Sequence, residues 1–181
     1  MMSLHYTYKR CIFTMKRSLS GLVLLIMAFG ILLSFVACQE VLSSEAELLE
    51  KAREEMPIAD AENAEIRCIG ECTKGDKALL WFMSGNEFQA HHYLPMGCTV
   101  SDGGYVFKKA YKPLDRGEDI SVIEWNGGYA FCVNNARCKA IKIADNSGEK
   151  VIEVAEYPFI YYNRLLPGEY VFLDENGDEL R

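Results

Sequence analysis

Histidine is scarce in this chain: three in 181 residues, at positions 5, 91 and 92. That leaves little material for imidazole-based general-base chemistry. No serine stands in a G-x-S-x-G frame, since Ser84 lies in Met83-Ser84-Gly85-Asn86, and there is no H-E-x-x-H. The nucleophile elbow and the zinc-protease helix are therefore excluded. Proline numbers five, and no Pro- or Ser-rich linker divides the sequence, so a single domain is expected. Acidic residues are missing before Glu40, and charge of either sign is missing between Leu19 and Ala37. Basic residues are in deficit everywhere else. Setting aside Lys9, Arg10, Lys16 and Arg17 leaves 15 Lys and Arg against 26 Asp and Glu, a formal charge of −11. Such a surface repels phosphate backbones and anionic headgroups, so no nucleic-acid partner is expected.

What is present begins with Met15–Cys38, MKRSLSGLVLLIMAFGILLSFVAC. Two cations precede an apolar run that closes on a small residue, the layout of an export signal. The stretch resembles a bacterial lipoprotein signal peptide. Its last four positions, Phe35, Val36, Ala37 and Cys38, stand where such signals carry the lipobox, with Phe35 in the place usually held by Leu. The resemblance covers only this leader. It implies removal of residues 15–37, lipidation of Cys38, and a chain held at the cell membrane, facing outside the cytoplasm. A thiolate alkylates readily, and several acyl chains give stable anchoring. The alternative is a single-pass helix with its N-terminus inside, because about 20 apolar residues span a bilayer. Residues 1–14 read as an over-long start or a short cytoplasmic tail.

About 140 residues follow the leader, enough for one core. Val41–Met56 reads as a helix: Ser44 and Glu47 form a capping box, and Leu42, Ala46, Leu49, Ala52 and Met56 recur at spacings of three and four. Pro57 ends it. Lipidated Cys38 and this helix make up residues 38–57, with the domain close to the membrane. Residues 58–181 read as an antiparallel hairpin meander, a small barrel or sandwich. Strands are expected near 65–72, 77–83, 87–94, 104–111, 119–125, 129–133, 138–144, 150–156, 159–163 and 169–174. Gly-, Asn- and Asp-containing turns separate them, among them Lys74-Gly75-Asp76, Asp102-Gly103-Gly104, Asn126-Gly127-Gly128 and Asn146-Ser147-Gly148.

Five cysteines lie beyond the leader, at 68, 72, 98, 132 and 138. If 134–136 turns a hairpin, Cys132 and Cys138 face each other across it at about 5 Å, inside disulfide range. Cys68 and Cys72 are too far apart along a strand to bridge without a bend at Gly70. Adjacent His91 and His92 point to opposite faces of a strand and do not share an ion. Asp174–Glu179 places Gly177 fourth where a calcium loop needs it sixth, so it reads as a turn. Trp81, Trp125, Tyr157, Tyr161 and Tyr162 are dense enough to floor a ligand groove. No metal site, catalytic residue or cofactor is expected. The function expected is binding of a protein or saccharide at the cell envelope. An envelope hydrolase with paired carboxylates, or a thiol- or metal-binding protein, is the rival.

Overall fold

The computed structural model describes residues 41–86, 90–117 and 119–180. The leader and Cys38 lie outside them. Val41–Leu42 forms a short strand, β1, and Glu45–Glu55 forms the helix, α1. Ser44 caps it: its hydroxyl accepts from Glu47 N, and the Glu47 carboxylate accepts from Ser44 N. Met56 is extended, as the residue before a proline prefers. The helix begins later than expected because Leu42 is buried in a strand pairing with Tyr105, which takes the first two residues away from it. Ala46 is exposed, while Ala52 and Met56 carry the buried stripe.

The rest is antiparallel β, as expected, in open stacked sheets with no closed barrel among the described residues. The first sheet comprises β2 (Ile66–Lys74), β3 (Lys77–Ser84), β4 (His92–Ser101) and β5 (Gly104–Ala110), in order β1-β5-β4-β3-β2. The second contains β6 (Leu114–Asp115), β7 (Ile120–Trp125), β8 (Gly128–Val133) and β11 (Phe159–Asn163), in order β11-β8-β7-β6. The third has β9 (Ala140–Asp145), β10 (Gly148–Glu153) and β12 (Glu169–Leu173), in order β10-β9-β12. The strand expected at 87–94 instead starts at His92 and runs to Ser101. Pairing with β3 on one side and β5 on the other carries it through Pro95, whose carbonyl accepts from Tyr111 N.

Alternation along each strand explains the layering. On β3, Ala78, Leu80 and Phe82 join α1 in one core, while Leu79 and Trp81 face Ile123, Trp125, Ala130 and Cys132 of the second sheet. The other face of that second sheet, with Val122, Phe131 and Val133, packs on Ile141, Ile143 and Phe172 of the third. Helix, sheet, sheet and sheet thus form four layers, and the two inner sheets are covered on both sides. The apolar run Ala78–Met83 is the consequence: a strand buried on both faces cannot alternate with polar residues.

The stack has two distinct ends. At one, two-residue turns join Lys74 to Lys77, Ser101 to Gly104, Trp125 to Gly128 and Asp145 to Gly148. Lys74 Nζ donates to Asn126 O at 2.8 Å, tying the first sheet's turn to the second's. Asn163 Nδ2 donates to Asp145 Oδ2 at 3.2 Å, tying the second to the third. At the other end lie Ser84 and His92, Ile120 and Val133, and the longer connections.

Candidate functional site

The longer connections carry the chemistry. From Ala110 the chain leaves the first sheet, touches the edge of the second at Leu114–Asp115 and enters it fully at Ile120. Backbone bonds clamp this crossover: Arg116 N to Ile120 O at 2.9 Å, Ile120 N to Gly117 O at 3.0 Å, and Asn134 N to Asp119 O at 2.9 Å. Asp115 Oδ1 also accepts from Gly117 N at 2.8 Å. Held this way, Asp119 adopts φ +61, a left-handed conformation that few non-glycine residues occupy. Its carboxylate is thereby aimed across the gap between sheets at His91, which immediately precedes β4.

His91 Nδ1 and Asp119 Oδ2 are 2.9 Å apart. A carboxylate only accepts, so Nδ1 carries the proton and Nε2 is left as an acceptor in the neutral imidazole. Asn134 Nδ2 stands 3.4 Å from Nδ1 and 3.5 Å from buried Met83 Sδ, closing the inner side of the pair. Nε2 has no partner among the described residues and is not enclosed. Tyr93 packs edge-on to the imidazole, ring centroids 6.3 Å apart. Its Oη is fully enclosed without a hydrogen bond; Asn134 and Asp119 are near it but outside bonding geometry. Burial pushes that phenol upward.

His91, Tyr93 and Asp119 border an open cleft of about 560 Å³, also lined by Pro57, His92, Lys112, Pro113, Asp115 and Ser121. Its size falls in the range of about 300–1,000 Å³ usual for small-ligand sites. Lys112 has no partner among the described residues. The cleft therefore offers one fixed acceptor (His91 Nε2), one free cationic donor and two carboxylates committed to different partners. A second hollow, of about 450 Å³, lies against Arg116 and Tyr170. There the cation is already used: Arg116 bonds the Tyr170 hydroxyl and lies over its ring, latching the crossover to β12.

No family model, curated protein or solved structure matches this chain.

The aromatic groove expected from the sequence is not formed. Trp81 is 0 % exposed and Trp125 4 %, both in the core between the first two sheets. Tyr162 lies edge-on to Trp125 with its hydroxyl at Trp125 O and Asn126 O. Tyr161 packs on Phe131 and Phe159, and Tyr157 donates to Cys138 O at 2.6 Å. All five are half-buried or buried packing residues.

The bridge expected between Cys132 and Cys138 is not formed either. Residues 134–139 turn no hairpin; they cross from β8 in the second sheet to β9 in the third. Cys132 faces Ser121 and Ile160 instead. All five described cysteines are free, and only Cys68 is exposed. Burial raises Cys72 to about 12 and Cys98 to about 11, and it moves Cys132 upward too. These are packing thiols, since thiol reactivity needs the thiolate. Among the described residues no three His, Cys, Asp or Glu side chains are grouped to hold a metal. Asp174–Glu179 is a turn in which Asp174 Oδ1 accepts from Asn176 N and Asp178 N, which holds that carboxyl below its ordinary value.

The His91–Asp119 pair escaped the sequence reading. Adjacent histidines on a regular strand would diverge, but His91 precedes the strand. Its partner lies 28 residues on, across a crossover whose path no local pattern encodes. The available signal was the crossover itself, because connections between sheets are where binding groups collect.

Proposed function

We propose that this chain is a lipid-anchored protein of the cell envelope whose β domain binds a hydroxyl-rich ligand of the saccharide class in the His91–Asp119 cleft. Anchoring is supported by the lipobox-like ending at Cys38. Among the described residues no helix is long and apolar enough to cross a membrane. Binding is carried by one observation: an imidazole fixed in one tautomer opens onto a cleft beside a lysine that has no partner among the described residues. Sugar hydroxyls both donate and accept, so they answer Nε2 and the lysine together. A peptide adding itself as a strand would need a free sheet edge. Here β4 is paired on both sides by β3 and β5, and β7 by β6 and β8; the one edge strand at the cleft, β6, is only 2 residues long, too short to seat an added strand.

The test is titration calorimetry of the full chain in a non-glycosidic detergent against neutral disaccharides (maltose, cellobiose, diacetylchitobiose). Binding should weaken about tenfold in His91→Gln, the worth of one hydrogen bond of about 1.4 kcal/mol. Absence of heat across the panel, or binding unaffected by His91→Gln, refutes the reading. Intact-mass measurement of the same preparation tests the anchor: the chain should begin at a lipidated Cys38.

A further inference from the structure

The end of the stack opposite the cleft carries most of the exposed large apolar side chains. Val41 is 39 % exposed, Val100 45 %, Leu165 47 % and Leu166 48 %. Register puts all four at the two-residue-turn end. Val100 faces Tyr105 next to the Ser101–Gly104 turn, and Val41 and Leu42 pair with Val106 and Tyr105 on the same hairpin. Leu165 and Leu166 sit between Asn163, opposite Tyr129, and Gly168, whose N–H donates to Ala144 O.

The leucine loop is built to be held out. Asn163, 1 % exposed, donates from Nδ2 to Leu165 O at 2.7 Å, and its Oδ1 accepts from Lys150 Nζ at 2.6 Å. A fully buried polar side chain thus fixes a loop whose two leucines face water, an arrangement that costs free energy unless something covers them.

The chain's own anchor indicates what covers them. Val41 is the third residue after Cys38, so its backbone stays within about 11 Å of the anchoring residue however the link runs. Resting on the lipid-anchored reading above, we propose that the turn end of the stack is a membrane-docking face. On it Leu165 and Leu166 enter the apolar edge of the bilayer, Val41 and Val100 lie at its surface, and the His91 cleft opens away from the membrane. Cations and anions are mixed on this face: Lys74, Lys77 and Arg164 share it with Asp76 and Asp102. Docking therefore depends on apolar contact rather than on anionic lipid, and salt leaves it unchanged.

The experiment places the full lipidated chain in phosphatidylcholine vesicles whose acyl chains carry bromine, which quenches tryptophan on contact. Native Trp81 and Trp125 are buried and give a low background. Leu166→Trp reports the docking face, and Leu114→Trp, an exposed position between two cleft-lining residues, reports the opposite end. Quenching should be at least threefold greater for Leu166→Trp, with the same ratio in 50 mM and 500 mM salt (about 14 and 4 Å of screening). Equal quenching, or the reverse order, overturns the proposal. So does Leu166→Trp being shielded by cross-linkable contact with a second copy. Intact mass separates the two failures. A lipidated chain with equal quenching sinks the orientation alone, and a chain with an unmodified Cys38 and no vesicle association sinks the anchor with it.

Discussion

The first two sheets meet most closely where Gly70 of β2 lies against Ile160 of β11. A Cβ at Gly70 would stand 2.8 Å from Ile160 Cγ1 and 3.3 Å from its Cβ, with φ at +149. Gly70 also follows the bulge at which β2 shifts register against Trp81. Gly70→Ala should therefore destabilise by about 1–3 kcal/mol through overpacking. Ile160→Ala, at a half-buried site, should cost about 2 kcal/mol, the low end for deleting a buried aliphatic side chain. In the double variant the new methyl enters the space the isoleucine leaves. The 2.8 Å clash with Cγ1 is removed while the tight contact with Cβ and the backbone cost at φ +149 remain, so the double should be less destabilised than the sum by about 1–2 kcal/mol. Urea unfolding followed by the fluorescence of Trp81 and Trp125, both buried at this junction, measures the cycle at constant m. Additivity within about 0.5 kcal/mol, or no cost from Gly70→Ala, would refute the claim that this contact sets the spacing of the sheets.

Four further outcomes follow from single sites. Ser44→Ala removes the helix cap and should lower stability by about 1 kcal/mol, read as a drop in urea midpoint. Tyr93→Phe deletes an enclosed hydroxyl that has no hydrogen bond, so stability should hold or rise; a loss above about 1 kcal/mol would mean the hydroxyl is bonded after all. Asp145 is lowered from 3.8 to about 2, first by the Ser147 hydroxyl, then by Ser147 N, Asn163 and Lys150. A depressed folded value means its contribution is complete above the ordinary carboxylate pKa and lost as pH falls from about 4 through 2. Asp145→Asn should flatten that limb of a pH–stability curve, and an unchanged limb would count against the assignment. With a thiol reagent, the five cysteines of the described residues should present one reactive thiol when native, Cys68, and five when unfolded; three or fewer of them on unfolding would reveal a bridge within the chain.

The sequence announced its local structure wherever a short segment suffices. Ser44 and Glu47 marked the cap, and the four two-residue turns were marked by Gly, Asn and Asp at the places where they occur. Asn126 and Gly127 adopt φ +48 and +77, as a tight hairpin demands. Prediction failed where a residue's meaning depends on which sheet its strand joins. Cys132 and Cys138 look like a hairpin pair until the chain is seen to change sheets between them. Trp81 and Trp125 look like a surface groove until a second sheet covers the first. His91 and Asp119 look unrelated because their contact depends on how two sheets stack, and that rests on such details as the missing side chain at Gly70.

The division of labour between the ends of the stack follows from the connectivity itself. In an antiparallel meander, a tight turn at one end forces the next connection to the other. Here the two-residue turns fall together at one end, and three of the four segments that change sheets (111–113, 134–139 and 154–158) fall together at the other. Tight turns leave only tips, suited to resting on a surface. Crossovers leave room between layers and bring distant residues together, which makes a cleft. The one long connection on the tip side, 164–168, is also the one that holds two leucines in water. The membrane-docking face proposed above accounts for that exception. It makes Leu165 and Leu166, rather than any cleft residue, the place where substitution to Asp should raise solubility without loss of stability, measured as a higher precipitation threshold at an unchanged urea midpoint. If the double Asp variant instead unfolds more readily, the leucines belong to the core's support and not to a docking face.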